Sequence, residues 1–532
     1  MTILGDIVKV DRKVDVNVNW IMQELGVDQS FDVIRRDITL AGRRATLFYI
    51  NGLVKDEIMT YILTSFSRLE EEDLTPNAFL KVYKKYVSYI QVEDLDDLHK
   101  AVDKILCGEI ALIVDGFNKV ISIDVRKYPA RMPEESDLER VVRGSRDNFV
   151  ETLLFNTNLL RRRVRDPKLR TEILQVGSRS KTDVAVVYIQ DIANPRLVDT
   201  IKEKIKAIKM DGLPMAEKSL EEFIFRGSFW NPFPRVRYTE RPDVAAAHIF
   251  EGHILVMVDT SPSVMILPTT LFHHLQHAEE FRQLPLIGTF LRTVRFLGVI
   301  ASVFLPPLWL LFSLQPELLP PNLAWIGPKK LGAIPLAWQF IFAEMGINLM
   351  RMAAIHTPTA LATALGLIAA VLIGEIAVAV GFFNPEVILY MAIAAVGIFS
   401  TPSYELGMAN TLMRIALLIG VGLFRLPGFV AVTMGTFLLL MTTKSFGLPY
   451  LWPLIPFNGS ALKDIFVRPP VPLQKLRPRV LHPLDLDRQP YPEPARKPLP
   501  REAAGQQEKR QQEKEKRIWP EFMDDGDEKR EK

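Results

Sequence analysis

The sequence of 532 residues predicts an α/β cytosolic N-terminal domain of two subdomains, an all-α polytopic membrane domain and a disordered C-terminal tail. Three observations predict this order. Strand-like and helix-like segments alternate up to about residue 240, which is typical of α/β domains. The block Thr359–Lys444 is almost continuously apolar over about three membrane-span lengths. The last segment, Pro469–Lys532, is rich in proline and charge and cannot bury enough apolar surface to fold alone.

The composition excludes some classes of function. The net charge is only +3, so no global electrostatic argument favours nucleic acid. Cys107 is the single cysteine, which excludes an intrachain disulfide and fits a reducing compartment. The N-terminus has no apolar core of signal-peptide length, so we expect the later spans to direct membrane insertion.

Local patterns in the first half predict both strands and helices. Ala45–Val54 indicates a strand that enters an Asn-Gly turn, and Glu57–Leu69 has the apolar spacing of a helix. Glu109–Val125 predicts a β-hairpin around Asp115-Gly116, and Asp183–Gln190 predicts a buried strand. We divide the chain into an extension (1–27), subdomain 1 (28–100), subdomain 2 (101–240), a membrane-proximal hairpin and helix (241–295), a transmembrane domain of four to six spans (296–460) and a cytoplasmic tail (461–532).

A short internal sequence repeat decides how the residues near 250 are interpreted. LCGEIALIVD at Leu106–Asp115 and FEGHILVMVD at Phe250–Asp259 share a glycine, an isoleucine two residues later and Val-Asp. The first string lies in the predicted hairpin. Val244–Leu267 is apolar enough for a span, but it contains acids, histidines and a Ser-Pro turn. By analogy we expect a membrane-proximal hairpin there.

A run of arginines ends the helix that we predict over Phe149–Arg165. Its members are Arg161, Arg162, Arg163 and Arg165. One interpretation is a solvated helix end, favoured by the helix dipole. The other is a contact with anionic lipid headgroups or with an acidic neighbour.

Several apolar segments are candidate membrane spans. Phe296–Leu314 follows Arg282, Arg292 and Arg295, which places its start in the cytoplasm. Leu331–Met350 is expected to be re-entrant or interfacial, and Thr359–Phe383 and Glu386–Ser400 are expected to be spans. Leu412–Lys444 is too long for one straight span. The break at Arg425–Gly428 either divides it into two short helices or bends one long helix. Because the segment after Arg468 is basic, both ends are expected inside. We therefore predict four crossings, or six if the ambiguous segments also cross.

Three acids lie within or beside these apolar segments. For Glu344 the alternative to a function is the polar side of an interfacial helix, and for Glu405 it is a solvated position or a pair with Arg414. For Glu375 it is an ion pair or hydrogen bond within the bundle. The functional interpretation is a carboxylate ring that attracts cations, which requires several copies around an axis.

Thr359–Phe383 combines full span length, small residues and an embedded acid. We therefore predict that its residues line or gate a pore, with Val371, Gly374, Glu375 and Val378 as the candidates. Glu344 and Glu405 are secondary candidates.

The histidines leave three interpretations open. His273 and His277 are spaced i, i+4 on an expected helix, with His274 and Glu280 beside them and His248 and His253 upstream. That spacing suits zinc, a pH-sensitive interface or ordinary packing at the membrane surface. His-Glu-x-x-His is absent, and we predict no metal and no cofactor. No Walker A loop, GxGxxG or GxSxG occurs either, so we do not expect an enzyme.

Three long strings resemble the A-subunit family of bacterial spore germination receptors. They are RGSRDNFVETLLFNTNLLRRRVRDPKL at 143–169, SRSKTDVAVVYIQDIANPRLVDTIKEKI at 178–205 and PFPRVRYTERPDVAAAHIFEGHILVMVDTSPSVMILPTTLF at 232–272. The resemblance covers about 40–460. At His273, His274, His277 and Glu279 the chain departs from the nutrient-receptor A subunits, which sets it in a separate branch of the family.

The resemblance implies a multi-pass protein of the spore inner membrane, with the N-terminal domain and the tail on the core side. It implies two subdomains similar to substrate-binding modules and a homo-oligomeric channel that releases monovalent cations in germination. The implied partners are B-type and C-type receptor subunits or other small membrane proteins, and the lipid membrane. The alternatives are a non-conducting scaffold that assembles receptors and a secondary transporter.

Overall fold

The computed structural model describes residues 7–87, 91–128, 139–225, 229–329, 332–356 and 376–488. Within these ranges the chain forms two five-stranded sheets covered by helices, followed by a helical region with long apolar helices. The expected α/β N-terminal domain and helical C-terminal region are therefore confirmed.

The first sheet belongs to residues before 130. Its strands are β1 (Val33–Leu40), β2 (Arg43–Ile50), β3 (Val92–Leu95), β4 (Ile110–Val114) and β5 (Val120–Ile123). They lie in the order β1-β2-β4-β5-β3, and each neighbouring pair is antiparallel.

Helices cover both faces of this sheet, and together they form the first sheet unit. The helices are α1 (Val14–Leu25), α2 (Asp56–Ser67), α3 (Glu71–Leu74), α4 (Ala78–Lys81) and α5 (Leu98–Leu106). Side chains of α1 and α5 pack with Ala111 and Ile113, whereas those of α2 pack with Ile110 and Leu112. Because successive strand side chains alternate between faces, β4 is buried on both sides and is apolar throughout.

The second sheet unit repeats this architecture. Its strands are β6 (Leu169–Val176), β7 (Thr182–Ile189), β8 (Arg237–Thr239), β9 (Ile254–Val258) and β10 (Val264–Leu267), and its helices are α6 (Leu153–Arg163), α7 (Pro195–Lys206), α8 (Ala216–Ile224) and α9 (Pro242–Ile249). The strand order is β6-β7-β9-β10-β8, the order of the first sheet shifted by five strands. Helices α7 and α8 cover one face, and α6 and α9 cover the other.

The two copies of the internal sequence repeat therefore contain β4 and β9, which occupy the same central position in their sheets. The predicted hairpin at Ile254–Leu267 exists, since β9 and β10 pair antiparallel. It is not a separate membrane-proximal element, because β9 also pairs with β7 in the middle of the second sheet. The second unit accordingly extends past the expected boundary at residue 240.

The boundary expected near residue 100 also moves. β4 pairs with β2, and β5 pairs with β3, so residues 110–123 belong to the first sheet unit. The local pattern shows a hairpin but does not show which earlier strands receive its hydrogen bonds.

A buried ion pair joins the two sheet units. Arg161 at the end of α6 donates to both carboxylate oxygens of Asp32, at 2.8 and 3.1 Å, and Thr171 of β6 donates to the same carboxylate. Both charged side chains are almost fully buried. Arg163 pairs with Asp147. For these two arginines the acidic-neighbour interpretation is correct, and the solvated helix end is not.

The helical region follows the second sheet unit. Its elements are α10 (Ala278–Arg282), α11 (Pro285–Leu314), α12 (Leu336–His356), α13 (Ala377–Ala379), α14 (Pro385–Phe399), α15 (Tyr404–Thr442), the short strands β11 (Lys444–Ser445) and β12 (Leu448–Pro449), and α16 (Gly459–Phe466). Among the described residues, α11 and α15 are long and apolar enough to cross a membrane.

The bundle helices α12 and α14 both run antiparallel to α11. The Trp309 ring near the end of α11 lies 5.7 Å from Phe340 and 5.3 Å from Tyr390, which are near the starts of the other two helices. Gly298 near the middle of α11 and Gly397 near the end of α14 bring the two backbones into close approach. The small residues thus permit contact where a Cβ would collide.

Helix α15 is a helical hairpin. Arg425 has φ 55° and ψ −130°, which interrupts the helix and separates limbs 404–424 and 426–442. Thr436 of the second limb contacts Met413 of the first, with 3.4 Å between Oγ1 and Sδ. The limbs therefore run antiparallel. The alternative of one long bent helix is excluded, and the break at Arg425–Gly428 is the turn between two limbs.

The chain returns to the second sheet unit after α16. The Arg477 Nε donates to the Phe250 carbonyl at 2.8 Å, and the Leu484 N–H donates to the Ile192 carbonyl at 2.9 Å. Part of the expected tail is thus ordered against β-sheet loops. Residues 489–532, which hold the rest of that tail, lie outside the described residues.

Candidate functional site

A charged pair lies in the interior of the helical bundle. Arg414, on the first limb of α15, donates to the two oxygens of Glu344 on α12, at 2.8 and 2.7 Å. Its remaining nitrogen donates to the Ser302 carbonyl of α11 at 2.6 Å. Asn348, one turn along α12, donates to the Glu344 carboxylate at 3.0 Å. Three helices are therefore connected through one guanidinium group.

This geometry corrects two expectations. Glu344 is 1% exposed, so it does not lie on the polar side of an interfacial helix. Arg414, considered as a partner for Glu405, is instead bound to Glu344. Since Ser302, Glu344 and Arg414 lie near the middles of their helices or limbs, the pair is far from either end of the bundle.

Glu405 lies at the end of the bundle that contacts the second sheet unit, which we name the sheet-proximal end. The Ser403 hydroxyl donates to its carboxylate at 2.9 Å, and Ser403 caps α15. Beside it is a cavity of about 60 Å³ that is also lined by Glu139, Arg237 and Thr239. Burial raises the pKa of the Glu139 carboxyl. The cavity has room for only a few water molecules.

The main pore candidates fall mostly outside the described residues. This is true of Val371, Gly374 and Glu375. Val378 is described, is half-buried and lies in α13. Ile376 and Val380 beside it are exposed.

The turn between β11 and β12 connects the bundle to the second sheet unit. The Ser445 hydroxyl donates to the Arg235 carbonyl at 2.8 Å and accepts from the Thr269 N–H at 3.2 Å. The Phe446 ring lies 5.2 Å from Phe225 of the sheet unit, and the Lys204 ammonium lies 4.9 Å from Phe446. The turn that follows the second α15 limb is therefore held to the sheet unit by hydrogen bonds and by aromatic packing.

A second buried acid anchors the start of α11. Glu280 in α10 is paired with Arg292 at 2.6 Å and also with Arg295. Arg292 in turn donates to the carbonyls of Asp464 and Ile465 in α16, at 2.9 and 2.8 Å. In the sequence alone, the two arginines indicate only the cytoplasmic side of the first span. The Glu279-Glu280 pair just before them was the available sign of a structural partner.

The histidines form a cluster, but not on one helix. His273 lies in a short 3₁₀ segment (Leu271–Leu275), whereas His277 caps α10, so the expected i, i+4 arrangement is wrong. The rings of His248, His253 and His273 lie 5.1 to 6.0 Å apart. Within the described residues, no group of three or more metal-ligating side chains could hold an ion.

The cluster is held in its neutral form by burial. Burial, together with the nearby Arg237 guanidinium, lowers the pKa of His253 to about 4. The same causes lower the pKa of His274 to about 3. The Arg237 guanidinium is held by the carbonyls of His273 and Gln276, at 2.8 and 3.2 Å. The buried histidines therefore pack near the sheet-proximal end of the bundle without carrying charge near neutral pH.

Comparison with known proteins identifies the family. The model of the Bacillus/Clostridium GerA spore germination protein family matches residues 19–480. The chain belongs to the GerA spore germination protein family. It is 49% identical to stage V sporulation protein AF of Bacillus subtilis, over 91% of this chain and 98% of that protein. It is 28% identical to the spore germination protein GerLA of Bacillus cereus, over 91% and 98%.

One solved structure is also similar. It is the N-terminal domain of the A subunit of the Bacillus megaterium spore germinant receptor GerK3, with 27% identity and a TM-score of 0.39, covering 49% of this chain and 97% of that one. The family predicted from the three sequence strings is confirmed. The chain is thus more similar to stage V sporulation protein AF, at 49% identity, than to the receptor protein GerLA, at 28%. The GerA relatives named here are germination and sporulation proteins, which supports a germination role.

Proposed function

We propose that this chain is a membrane subunit that conducts monovalent cations during spore germination, as an oligomeric channel within or beside germinant receptors. The observation that carries the proposal is the buried Glu344–Arg414 pair. It neutralises the acid in the middle of the described bundle, so Glu344 cannot offer a free carboxylate to a passing ion. Glu375, in the most span-like segment of the sequence, then remains the candidate for a pore-lining acid.

The helix directions support six crossings. α11 and the first limb of α15 lead away from the sheet-proximal end, while α12, α14 and the second limb lead back. Because α12 and α14 run in the same direction, we propose that Thr359–Phe383 crosses between them. Six crossings would keep the sheet units and the returning segment 477–486 on one side, and the basic residues before Phe296 favour the cytoplasm for that side.

Oligomerisation is part of the proposal because one carboxylate per chain is a poor filter. Several copies around an axis would place the carboxylates in a ring that attracts cations and repels anions. A row of exposed apolar side chains on α14, Leu389, Ile393 and Val396, follows helical spacing and could contact lipid or a second copy. The β11–β12 turn is the proposed route by which the sheet units transmit a gating signal.

Cation release from vesicles tests conduction. The full chain, purified and reconstituted into potassium-loaded vesicles, is expected to release potassium, and Glu375→Gln is expected to slow the release. Glu317→Gln is the matched control, because Glu317 is exposed in the loop after α11. Equal release by both variants at equal protein levels would contradict the proposed role of Glu375 in the pore. No release by the parent chain would favour the non-conducting scaffold, especially if receptor subunits still co-purify with it.

Cysteine labelling tests the topology separately. With Cys107→Ser as background, Glu317→Cys should react with an impermeant maleimide from the outer side of the membrane. Ser460→Cys, at an exposed position in α16, should react only after the membrane is opened. Reaction of both from the same side would contradict the proposed crossings.

A further inference from the structure

Four aromatic side chains are exposed at the sheet-proximal end of the bundle. We name Phe229, Trp230, Phe290 and Phe466 the aromatic collar. Trp230 is 98% exposed and Phe229 is 79% exposed. Large apolar side chains grouped on a surface mark contact with a membrane or another molecule more often than isolated ones do.

The position of Trp230 is fixed by its neighbours. The Asn231 side chain donates to the Thr443 hydroxyl at 2.7 Å, and Thr443 directly follows the last residue of α15. Two residues later, Phe233 is buried with its ring 6.3 Å from Tyr450. Trp230 is therefore attached to the end of an apolar helix while its own indole points into solvent.

The other members are linked to Trp230 through one buried cluster, which contains Phe233, Phe296 and Ile465. The Phe466 ring is 5.2 Å from that of Phe296, the first residue of the predicted first span. Phe290 precedes Phe296 by six residues on α11, or about 9 Å along the helix axis. With 30 residues α11 is about 45 Å long, which exceeds a hydrocarbon core of about 30 Å. The first turns of α11 therefore extend out of the hydrocarbon core on the side of the sheet units.

The charges nearby favour a lipid surface over a protein partner. Lys444 follows the end of α15, Lys463 lies in α16, and both are exposed. Lysine beside tryptophan is the usual composition of a cytoplasmic membrane interface, where the ring sits among headgroups and the ammonium meets anionic lipid.

We propose that the aromatic collar is seated in the headgroup layer of the membrane and holds the second sheet unit against the bilayer. Trp230 is the main anchor, because an indole has an apolar face and an N–H that can remain hydrated. This inference rests on the membrane placement of α11 and α15 proposed above. The partner is the lipid surface itself, and no second protein is needed to cover these rings.

Spin-label depth measurement tests the proposal. Trp230→Cys on a Cys107→Ser background is labelled with a nitroxide, and the full chain is reconstituted in phosphatidylcholine–phosphatidylglycerol vesicles. Collisions with oxygen and with a water-soluble nickel chelate are then compared. Tyr61→Cys, exposed on the first sheet unit, is the aqueous control, and Met345→Cys, exposed on α12 beside the mid-bundle Glu344, is the hydrocarbon control.

The expected oxygen-to-nickel collision ratio at residue 230 lies between those of the two controls, and Phe229→Cys should give the same result. A ratio equal to that at residue 61 would overturn the proposal, because the collar would then face water. Protection from both reagents would also overturn it, in favour of contact with a second copy. If residue 345 itself behaves as aqueous, the membrane placement has failed, which is a distinguishable outcome.

Discussion

Arg414 and Glu344 form a two-point ion pair, with N···O distances of 2.8 and 2.7 Å, across 70 residues of sequence. The pair connects α12 to the first limb of α15, and neither side chain reaches solvent. In such surroundings each charge is stabilised mainly by the other. Loss of one partner leaves the second buried without compensation, whereas loss of both can be nearly neutral.

We therefore expect Glu344→Leu alone and Arg414→Leu alone each to destabilise the folded chain by about 3–5 kcal/mol. The double variant should be more stable than either single one, because no unpaired charge remains. The measurement is the denaturation midpoint of the purified chain in detergent. Losses that simply add in the double variant would show that the pair is not coupled.

The α15 hairpin depends on a glycine contact between its limbs. A Cβ added at Gly428 would lie 1.9 Å from the Gly420 carbonyl oxygen, whereas one added at Gly435 meets nothing within 4 Å. Gly428→Ala should therefore force the limbs apart and cost roughly 1–3 kcal/mol. Gly435→Ala is the matched control and should be neutral or slightly stabilising.

Disulfide formation between Met413→Cys and Thr436→Cys, on a Cys107→Ser background, measures this separation. These positions contact each other across the limbs. Cross-linking should fall in the presence of Gly428→Ala and stay unchanged with Gly435→Ala. Equal cross-linking in both would mean that the limbs tolerate the added methyl group.

The central strands and the hairpins were predictable because their sequences are locally distinctive. β4 is apolar at every position, and a turn dipeptide follows it. β3 and β8 were missed. They are edge strands of four and three residues with charged members, VEDL and RYT, and they exist through hydrogen bonds to β5 and β10. A local pattern contains no information about such distant pairing.

The bundle interior shows the same limit. In the sequence, Glu344 is one of three acids within or beside apolar segments, and Arg414 is a possible partner for Glu405. The first limb of α15 carries Arg414 away from the sheet-proximal end and towards Glu344. Only the packing of three helices decides which acid it meets.

The Asp32–Arg161 pair makes a separate prediction for the sheet units. Arg161→Ala should leave Asp32 buried without its cation and cost about 3–5 kcal/mol. Arg162→Ala is the matched control, since Arg162 is exposed over the Tyr128 ring, and it should cost about 1 kcal/mol or less. Equilibrium denaturation of the full chain measures both. Equal losses would mean that the buried pair does not hold the two units together.

The histidine cluster predicts how stability depends on pH. Burial lowers the pKa of His253 to about 4 in the folded chain, while an unfolded histidine titrates near 6.5. Between these values the unfolded state binds more protons than the folded state, so acid favours unfolding. The contribution of His253 is intact above pH 6.5 and is lost progressively as the pH falls towards 4, at up to roughly 1.4 kcal/mol per pH unit. The window from pH 6.5 to 5 is the most informative, because most carboxylates remain ionised there.

Thermal unfolding of the full chain in detergent, measured from pH 8 to 5, checks this prediction. The midpoint should be constant above pH 6.5 and should fall below it. His253→Gln should reduce that slope, because one buried group that resists protonation has been removed. His99→Phe, at an exposed position on α5, is the control for the loss of a histidine outside the cluster. A parent midpoint that does not change between pH 6.5 and 5 would show that the cluster accepts protons without loss of packing.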